Sequence, residues 1–272
     1  PDSTNANYWR QNFNNRGAAN RVLFDPTASD ARPAFTNVSG GENIITSNLV
    51  FNLDANNYTS GSTWNDSSGN GNNGTISGPT YNSNFGGNFV FDGSNDSIIM
   101  DTATNLGINN TSSSFSYSVW FKTGATDEQY MFDNYDGSPQ DISFRLDAGQ
   151  LEVYLRGSGG IINAVRYGSY TLNAWNNAVY TYNGSTGTLT AYVNGINTGT
   201  STANFSGNFE SGSTFRIGSR PSGGGWFEGE IASALLYNKE LSNEEIVHNF
   251  DALKGRFQDN TLILSGISYT LS

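Results

Sequence analysis

The chain has 272 residues, no cysteine, one histidine and a net charge of −11, and its charged residues amount to only 14%. Disulfides, thiolate chemistry, zinc–cysteine centres and multi-histidine metal sites are thereby excluded, and the acidic balance argues against a nucleic-acid grip, which needs Lys and Arg along phosphates. Aromatics at 13% supply a core, while 32 Gly and 37 Asn point to many tight turns, a pattern foreign to disordered chains and coiled coils.

Residues 1–45 come first and stand apart. They are Asn-rich, hold Pro26 and Pro33, and show no sustained hydrophobic period. Arg10, Arg16, Arg21 and Arg32 bring residues 1–40 near +1 and leave the remainder near −12. The expectation is an extended arm that docks on a neighbouring subunit, its guanidinium groups forking onto carboxylates. Pro1-Asp2-Ser3-Thr4 has neither the basic nor the apolar region of a signal peptide. No apolar run reaches the roughly 18–20 residues of a membrane span.

From residue 46 the pattern is β. Asn48–Leu53 is a short apolar strand, and Phe89–Phe91 and Ile98–Met100 flank the turn Asp92-Gly93-Ser94-Asn95-Asp96. Phe115, Tyr117, Val119 and Phe121 alternate onto one face of a strand, and Leu151–Leu155 alternates likewise. Ala178–Tyr182 and Leu189–Val193 flank Asn183–Gly187, and Asn194-Gly195 then offers a type I′ turn. Thr214–Gly218 and Phe227–Tyr237 close a series spaced at roughly 8–12 residues, the spacing of a sandwich or jelly roll. After it, Ser242-Asn243-Glu244-Glu245 is a capping box with Leu241 and Ile246 as its hydrophobic staple. Ile246, Phe250 and Leu253 share one face of the resulting helix, and Gly255 stops it. The helix is expected to cover an end or edge of the sandwich, with His248 turned to solvent. Thr261–Leu271 is an apolar, strand-like tail whose Leu262, Leu264 and Tyr269 require a sheet edge or an apolar surface.

Three kinds of chemistry are open to these residues. Glu228-Gly229-Glu230 places two carboxylates on one face of a strand, the minimum for glycoside hydrolysis. An exposed strand face accounts for the pair more simply, and a single His248 on a surface helix leaves no Ser–His–Asp set, so no enzyme is expected. Two oxygen-rich loops, Asp92/Asn95/Asp96 and Asp133/Asp136/Asp141, hold the donor types that calcium takes, although Asx turns use the same residues without metal. A sugar site needs aromatic plates beside Asn or Asp at loop tips. Trp64, Tyr130, Tyr135, Tyr167, Tyr170 and Trp226 are the candidates in loop-rich segments.

Several segments carry a family resemblance. Asn48-Leu49-Val50-Phe51-Asn52-Leu53-Asp54-Ala55 and Trp64 through Thr75 resemble the opening of laminin-G-like domains of the concanavalin A-like lectin/glucanase superfamily. Phe91–Asp96, Phe115–Phe121, Phe227–Ala232 and Leu236–Ile246 fit the same pattern, and Asn249–Phe257 is similar to the tail of such domains in phage virion proteins. The resemblance spans 46–257 and implies an all-β antiparallel jelly-roll sandwich with one short C-terminal helix, preceded by the arm 1–45 and followed by the tail 258–272. Asp141 is the nearest match to the loop where pentraxins and laminin-G domains hold calcium, but Ile142 replaces the adjacent Asn and the downstream Glu-Gln-Asp is missing. The Glu-x-Asp-x-x-Glu of the family's glycosidases is absent. The expected protein is a non-enzymatic phage virion subunit, capsid-decorating or tail-associated, on a virion surface or extracellular. Its lectin-like domain would bind host or environmental glycans. Arg10, Arg16, Arg21, Arg32, Leu262, Leu264 and Tyr269 would hold it to other subunits, in a homo-oligomer or a larger assembly. The alternatives are a free secreted lectin and, more remotely, a glycoside hydrolase.

Overall fold

A computed structural model describes residues 43–257 except 139, 160–161 and 210–211, and the backbone alone of 162–165, 261–264 and 267–270. Arg10, Arg16, Arg21 and Arg32, and the side chains of Leu262, Leu264 and Tyr269, lie outside the described residues.

The first strands are β1 (Leu49–Asp54), β2 (Thr63–Trp64), β3 (Gly74–Ser77), β4 (Thr80–Asn82), β5 (Asn88–Asp92) and β6 (Ser97–Thr102). They are followed by β7 (Phe115–Lys122), β8 (Gln129–Asp133), β9 (Asp141–Asp147), β10 (Gln150–Arg156), β11 (Ile162–Ser169) and β12 (Asn176–Asn183). β13 (Thr188–Val193), β14 (Ile196–Thr202), β15 (Thr214–Ile217) and β16 (Glu228–Tyr237) lead into the helix α1 (Asn243–Lys254). β17 (Thr261–Leu264) and β18 (Ile267–Thr270) form a hairpin of their own. Thr46–Val247 is one compact unit, and the described residues outside it belong to a second. Among the described residues no helix is long and apolar enough to cross a membrane.

Within the larger unit two sheets face each other. One runs β14-β13-β12-β7-β16-β5-β4 and the other β11-β10-β9-β8-β15-β6-β3-β2, with antiparallel pairing throughout. β16 divides one edge between two partners: Glu228–Ile231 pair with β5, and Ser233–Tyr237 pair with β1. The architecture is the antiparallel jelly-roll sandwich expected from the alternation of the strands.

The core explains the register. Ile142, Phe144 and Leu146 of β9 and Leu151, Val153 and Leu155 of β10 point inward, so Ser143, Arg145, Glu152, Tyr154 and Arg156 must point outward. Between the sheets five rings stack nearly parallel: Phe215 on Phe132 (4.1 Å), Phe132 on Tyr117 (4.5 Å), Tyr117 on Phe144 (5.6 Å) and Phe144 on Tyr180 (4.6 Å). Phe215, Phe132 and Phe144 come from one sheet and Tyr117 and Tyr180 from the other, so the column ties the layers together by dispersion as well as by removal of apolar area from water.

β7 departs from a simple two-faced strand. Its expected inward face is buried, but Ser116, Ser118 and Trp120 on the other face are buried too. The segment before α1 meets the first of them, with Ser116 Oγ donating to the Lys239 carbonyl (2.8 Å) and accepting from the Leu241 amide (2.9 Å), while Asn177 Nδ2 donates to Ser118 Oγ (3.1 Å). The capping box forms as read, with the Glu245 amide donating to Ser242 Oγ (3.3 Å) and the Ser242 amide donating to Glu245 Oε2 (3.1 Å). His248 is a correction. It is half-buried, and its Nε2 lies 2.9 Å from the Asn43 carbonyl oxygen rather than free in solvent.

Candidate functional site

The outward face of β8, β9 and β10 carries a polar lattice set by strand register. One row runs Tyr130, Arg145, Glu152 and Arg166 across four strands. The next runs Arg216, Asp133, Ser143 and Tyr154, and a third pairs Asp141 with Arg156. Cross-strand neighbours of this kind stand close enough to touch, and here they do. Arg145 Nε donates to Glu152 Oε2 and Arg156 Nε to Asp141 Oδ1, each at 2.9 Å. Arg145 Nη1 donates to Tyr130 Oη at 2.7 Å and lies 2.9 Å from Glu128 Oε2.

Two loops close the lattice into a ring. The β8–β9 loop supplies Tyr135, and the β15–β16 loop supplies Arg220. Arg220 lies over the rings of Tyr130 (4.3 Å) and Tyr135 (5.1 Å), Arg145 over Tyr130 and Tyr154 (5.5 Å each), and Arg156 over Tyr154 (5.6 Å) and Tyr135 (5.3 Å). Guanidinium and phenol therefore alternate around a closed circuit of six side chains, each cation sandwiched by two π faces. Gly225 makes the closure possible. Its φ is +58°, its carbonyl accepts the Tyr130 amide at 3.0 Å, and a Cβ there would lie 2.1 Å from the Tyr130 ring.

Inside the ring is an open pocket of about 240 Å³, with Asp133, Asp141 and Ser143 at its floor and Tyr135, Tyr154, Arg145, Arg156 and Arg220 as walls. Asp133 is fully buried, and its Oδ1 accepts the Tyr135 amide at 2.8 Å. Burial pushes its carboxyl up to about 7 despite help from Ser143, the Tyr135 amide and Arg145, and the nearby Asp141 charge adds to the rise. Asp141 is pushed up to about 6 by burial, against the pull of Arg156 and Arg145. Burial draws the Arg220 guanidinium down, with Glu128 opposing. Hydrogen bonding from Ser143 eases the charge on Asp133, while Arg220 Nε is buried without a hydrogen-bond partner among the described residues. Native proteins leave few such groups.

The other residues singled out by sequence are placed differently. Trp64, Tyr167 and Tyr170 belong to the core; Trp64 packs on Phe89 at 4.8 Å, and Tyr170 Oη donates to the Ala125 carbonyl at 2.8 Å. Trp226 is half-buried. Only Tyr130 and Tyr135 of the six aromatics join the ring. In the oxygen-rich loops, Asp92 Oδ1 accepts the Ser94 amide, Asp96 Oδ2 the Asp92 amide, and Asp136 Oδ1 the Ser138 amide, at 2.8, 2.9 and 2.9 Å. Among the described residues no group of three or more acidic or histidine side chains converges to hold a metal. Glu228 and Glu230 line a second open pocket of about 460 Å³, where Lys122 Nζ lies 3.0 Å from Glu230 Oε1.

Sequence reasoning passed over Ser143, Arg145, Tyr154, Arg156 and Arg220. A signal for four of them exists. Ala148 and Gly149 both adopt positive φ (+52° and +72°), the geometry of a two-residue hairpin turn, which sets Asp147 opposite Gln150. Counting outward from that turn pairs Arg145 with Glu152, Ser143 with Tyr154 and Asp141 with Arg156.

A family model for the concanavalin A-like lectin/glucanases superfamily matches residues 92–247. Among solved structures, the receptor binding domain of botulinum neurotoxin C/D mosaic serotype is similar with a TM-score of 0.62 at 17% identity, over 76% of this chain and 52% of that one. The binding domain of Paraclostridial Mosquitocidal Protein 1 gives 0.61 at 20% identity, over 80% and 54%. A structure of botulinum neurotoxin type C, whose cell entry depends on interaction with two ganglioside molecules, gives 0.60 at 19% identity, over 77% and 52%. The chain thus spans about half the length of these structures, and the likeness is one of fold. No curated protein matches it.

Proposed function

The chain belongs to the concanavalin A-like lectin/glucanases superfamily, and from that premise we propose that it is a non-enzymatic glycan-recognition module displayed on a virion or another extracellular surface. A fold does not choose a function, so the reading rests on the site. The observation that carries it is an open, polar-floored pocket of about 240 Å³ walled by Tyr135, Tyr154, Arg145, Arg156 and Arg220. The half-buried rims of Tyr135 and Tyr154 offer a sugar apolar contact, and the fixed polar groups around them orient it. The ganglioside dependence of a structural neighbour agrees with a sugar ligand.

Catalysis fits the same groups poorly. A glycosidase needs two carboxylates free to reach either side of one bond. Here Asp141 is 2% exposed and held by Arg156, while Glu230 is held by Lys122. The test is a glycan array probed with the whole chain, followed by product analysis on every glycan bound. Binding of a defined subset, lost in Tyr154→Ala and without cleavage, is expected. An array without a single binder, or turnover that Glu230→Gln abolishes, overturns the reading.

The placement on a phage particle rests on the flanks. An isolated two-stranded hairpin such as β17–β18 is marginal in water and gains from joining a further sheet. The basic residues of 1–45 offer the acidic remainder, its own or a neighbour's, an electrostatic partner. Removing residues 1–45 is expected to leave the jelly roll folded and absent from particles. Undiminished incorporation would favour a secreted lectin instead.

A further inference from the structure

We propose that β14 is a self-association edge, where a second copy of this chain pairs its own β14 antiparallel and joins the two sheets across a two-fold axis. A strand at a sheet edge presents backbone donors and acceptors to any chain that can align with it. Native sheets guard such edges by shortness, charge or a covering. Among the described residues, β14 is the one edge left unguarded. At the far end of its sheet β4 is three residues long, and the other sheet ends on β2, of two residues, and on β11. β11 is long, but it carries Arg166, which is paired with Asp147 and lies 3.7 Å from Glu152. The second edge of β1 is capped by side chains. Asp66 Oδ1 accepts the Asn52 amide, and Asn70 and Asn72 Nδ2 donate to the Leu49 and Val50 carbonyls, each at 2.8 Å.

β14 runs from Ile196 to Thr202 without charge or proline, and after one bulge its ladder with β13 is regular from Gly199 to Thr202. Ile196 is 69% exposed, and Thr200 and Thr202 are exposed as well. The strand is seated from within by Tyr167 of β11, whose ring would lie 2.1 Å from a Cβ at Gly199. Charge identifies the occupant. From Tyr167 to Phe209, the longest such stretch of the chain, the sequence has no charged residue, although the whole carries −11. Two copies repel wherever acidic surface meets acidic surface, and a two-fold axis brings each residue near its own equivalent, where like charges destabilise a strand pair. A neutral edge is where a body of this charge can meet itself, whereas a basic partner would be drawn to the acidic surface. Seven residues of edge bury less than the roughly 1,200–2,000 Å² of stable complexes, so the pairing is weak in free solution and gains where copies are held side by side.

Sedimentation velocity of the whole chain, from about 5 to 500 μM to span the weak association that so small an interface allows, reads the mass. A rise from one chain to two is expected, with hydrogen exchange at Ile196–Thr202 slowing at the higher concentrations. Pairing the full strand sets the axis at Gly199, beside Thr200. Thr200→Lys and Thr200→Glu should therefore each weaken association about tenfold or more, with unchanged circular dichroism. An equimolar mixture of the two variants should recover it, because opposite charges then face each other, a result that damaged folding could not give. A single chain at every concentration overturns the proposal. So does association that Thr200→Lys leaves intact, which would place the contact on the arm or the tail, and so do two variants that fail to pair when mixed.

Discussion

Two pairs of carboxylates occupy two pockets of this sandwich, and they behave differently. Glu228 and Glu230 lie two residues apart on β16 and line an open pocket with Lys122 as the cation of Glu230. Asp133 ends β8, Asp141 begins β9, and they meet at a buried floor where both carboxyls titrate far above their ordinary range because burial penalises the charge. Spacing along one strand decides which face a residue shares. What surrounds that face is decided by the neighbouring strands and by the loops that lean over it.

The largest expected contrast comes from removing each pair's cation. Arg156→Ala leaves Asp141 buried without its partner and is expected to cost about 3–5 kcal/mol in urea unfolding at pH 8. If it costs under about 1 kcal/mol, the floor is wetter than the geometry implies. Gly225→Ala comes next. It forces a left-handed backbone and a 2.1 Å approach to Tyr130, for a loss of about 1–3 kcal/mol and a visible fall in melting temperature.

A third measurement uses pH. Asp133 and Asp141 bind protons more tightly folded than unfolded, so proton uptake favours the fold: the stabilisation is complete below the unfolded value near 4 and is lost as pH rises through about 6 and about 7. Melting temperature should therefore climb as pH falls from 8 to 6, with a slope of at most about 1.4 kcal/mol per pH unit per proton. Asp133→Asn should flatten that climb. The smallest effect is expected at Lys122→Ala, where a part-exposed bridge contributes about 0–1 kcal/mol. A larger loss would erase the distinction between the pockets.

Much of the sandwich was legible because burial on one face imposes alternation. Phe115, Tyr117, Val119 and Phe121 declare an inward face, and the Ser242–Glu245 box declares a helix start without tertiary help. Trp64 and Tyr167 misled for the converse reason: turn-rich surroundings read as exposure, while packing on the core buried both rings. Asp133 and Asp141 were visible as a loop pair, but the arginines that surround them were not. Outward positions on a strand read as solvated, and Arg220 arrives from a loop nearly eighty residues downstream.

The divided edge of β16 has a consequence for synthesis. β1 pairs with Ser233–Tyr237, roughly 180 residues further along the chain. At translation rates of about 5–20 residues per second, β1 waits about 10–40 s for its partner strand to emerge. During that interval Phe51 and Leu53, wholly buried in the finished fold, have no β16 to pair beside, so the nascent chain presents an apolar strand with an open edge to whatever meets it first.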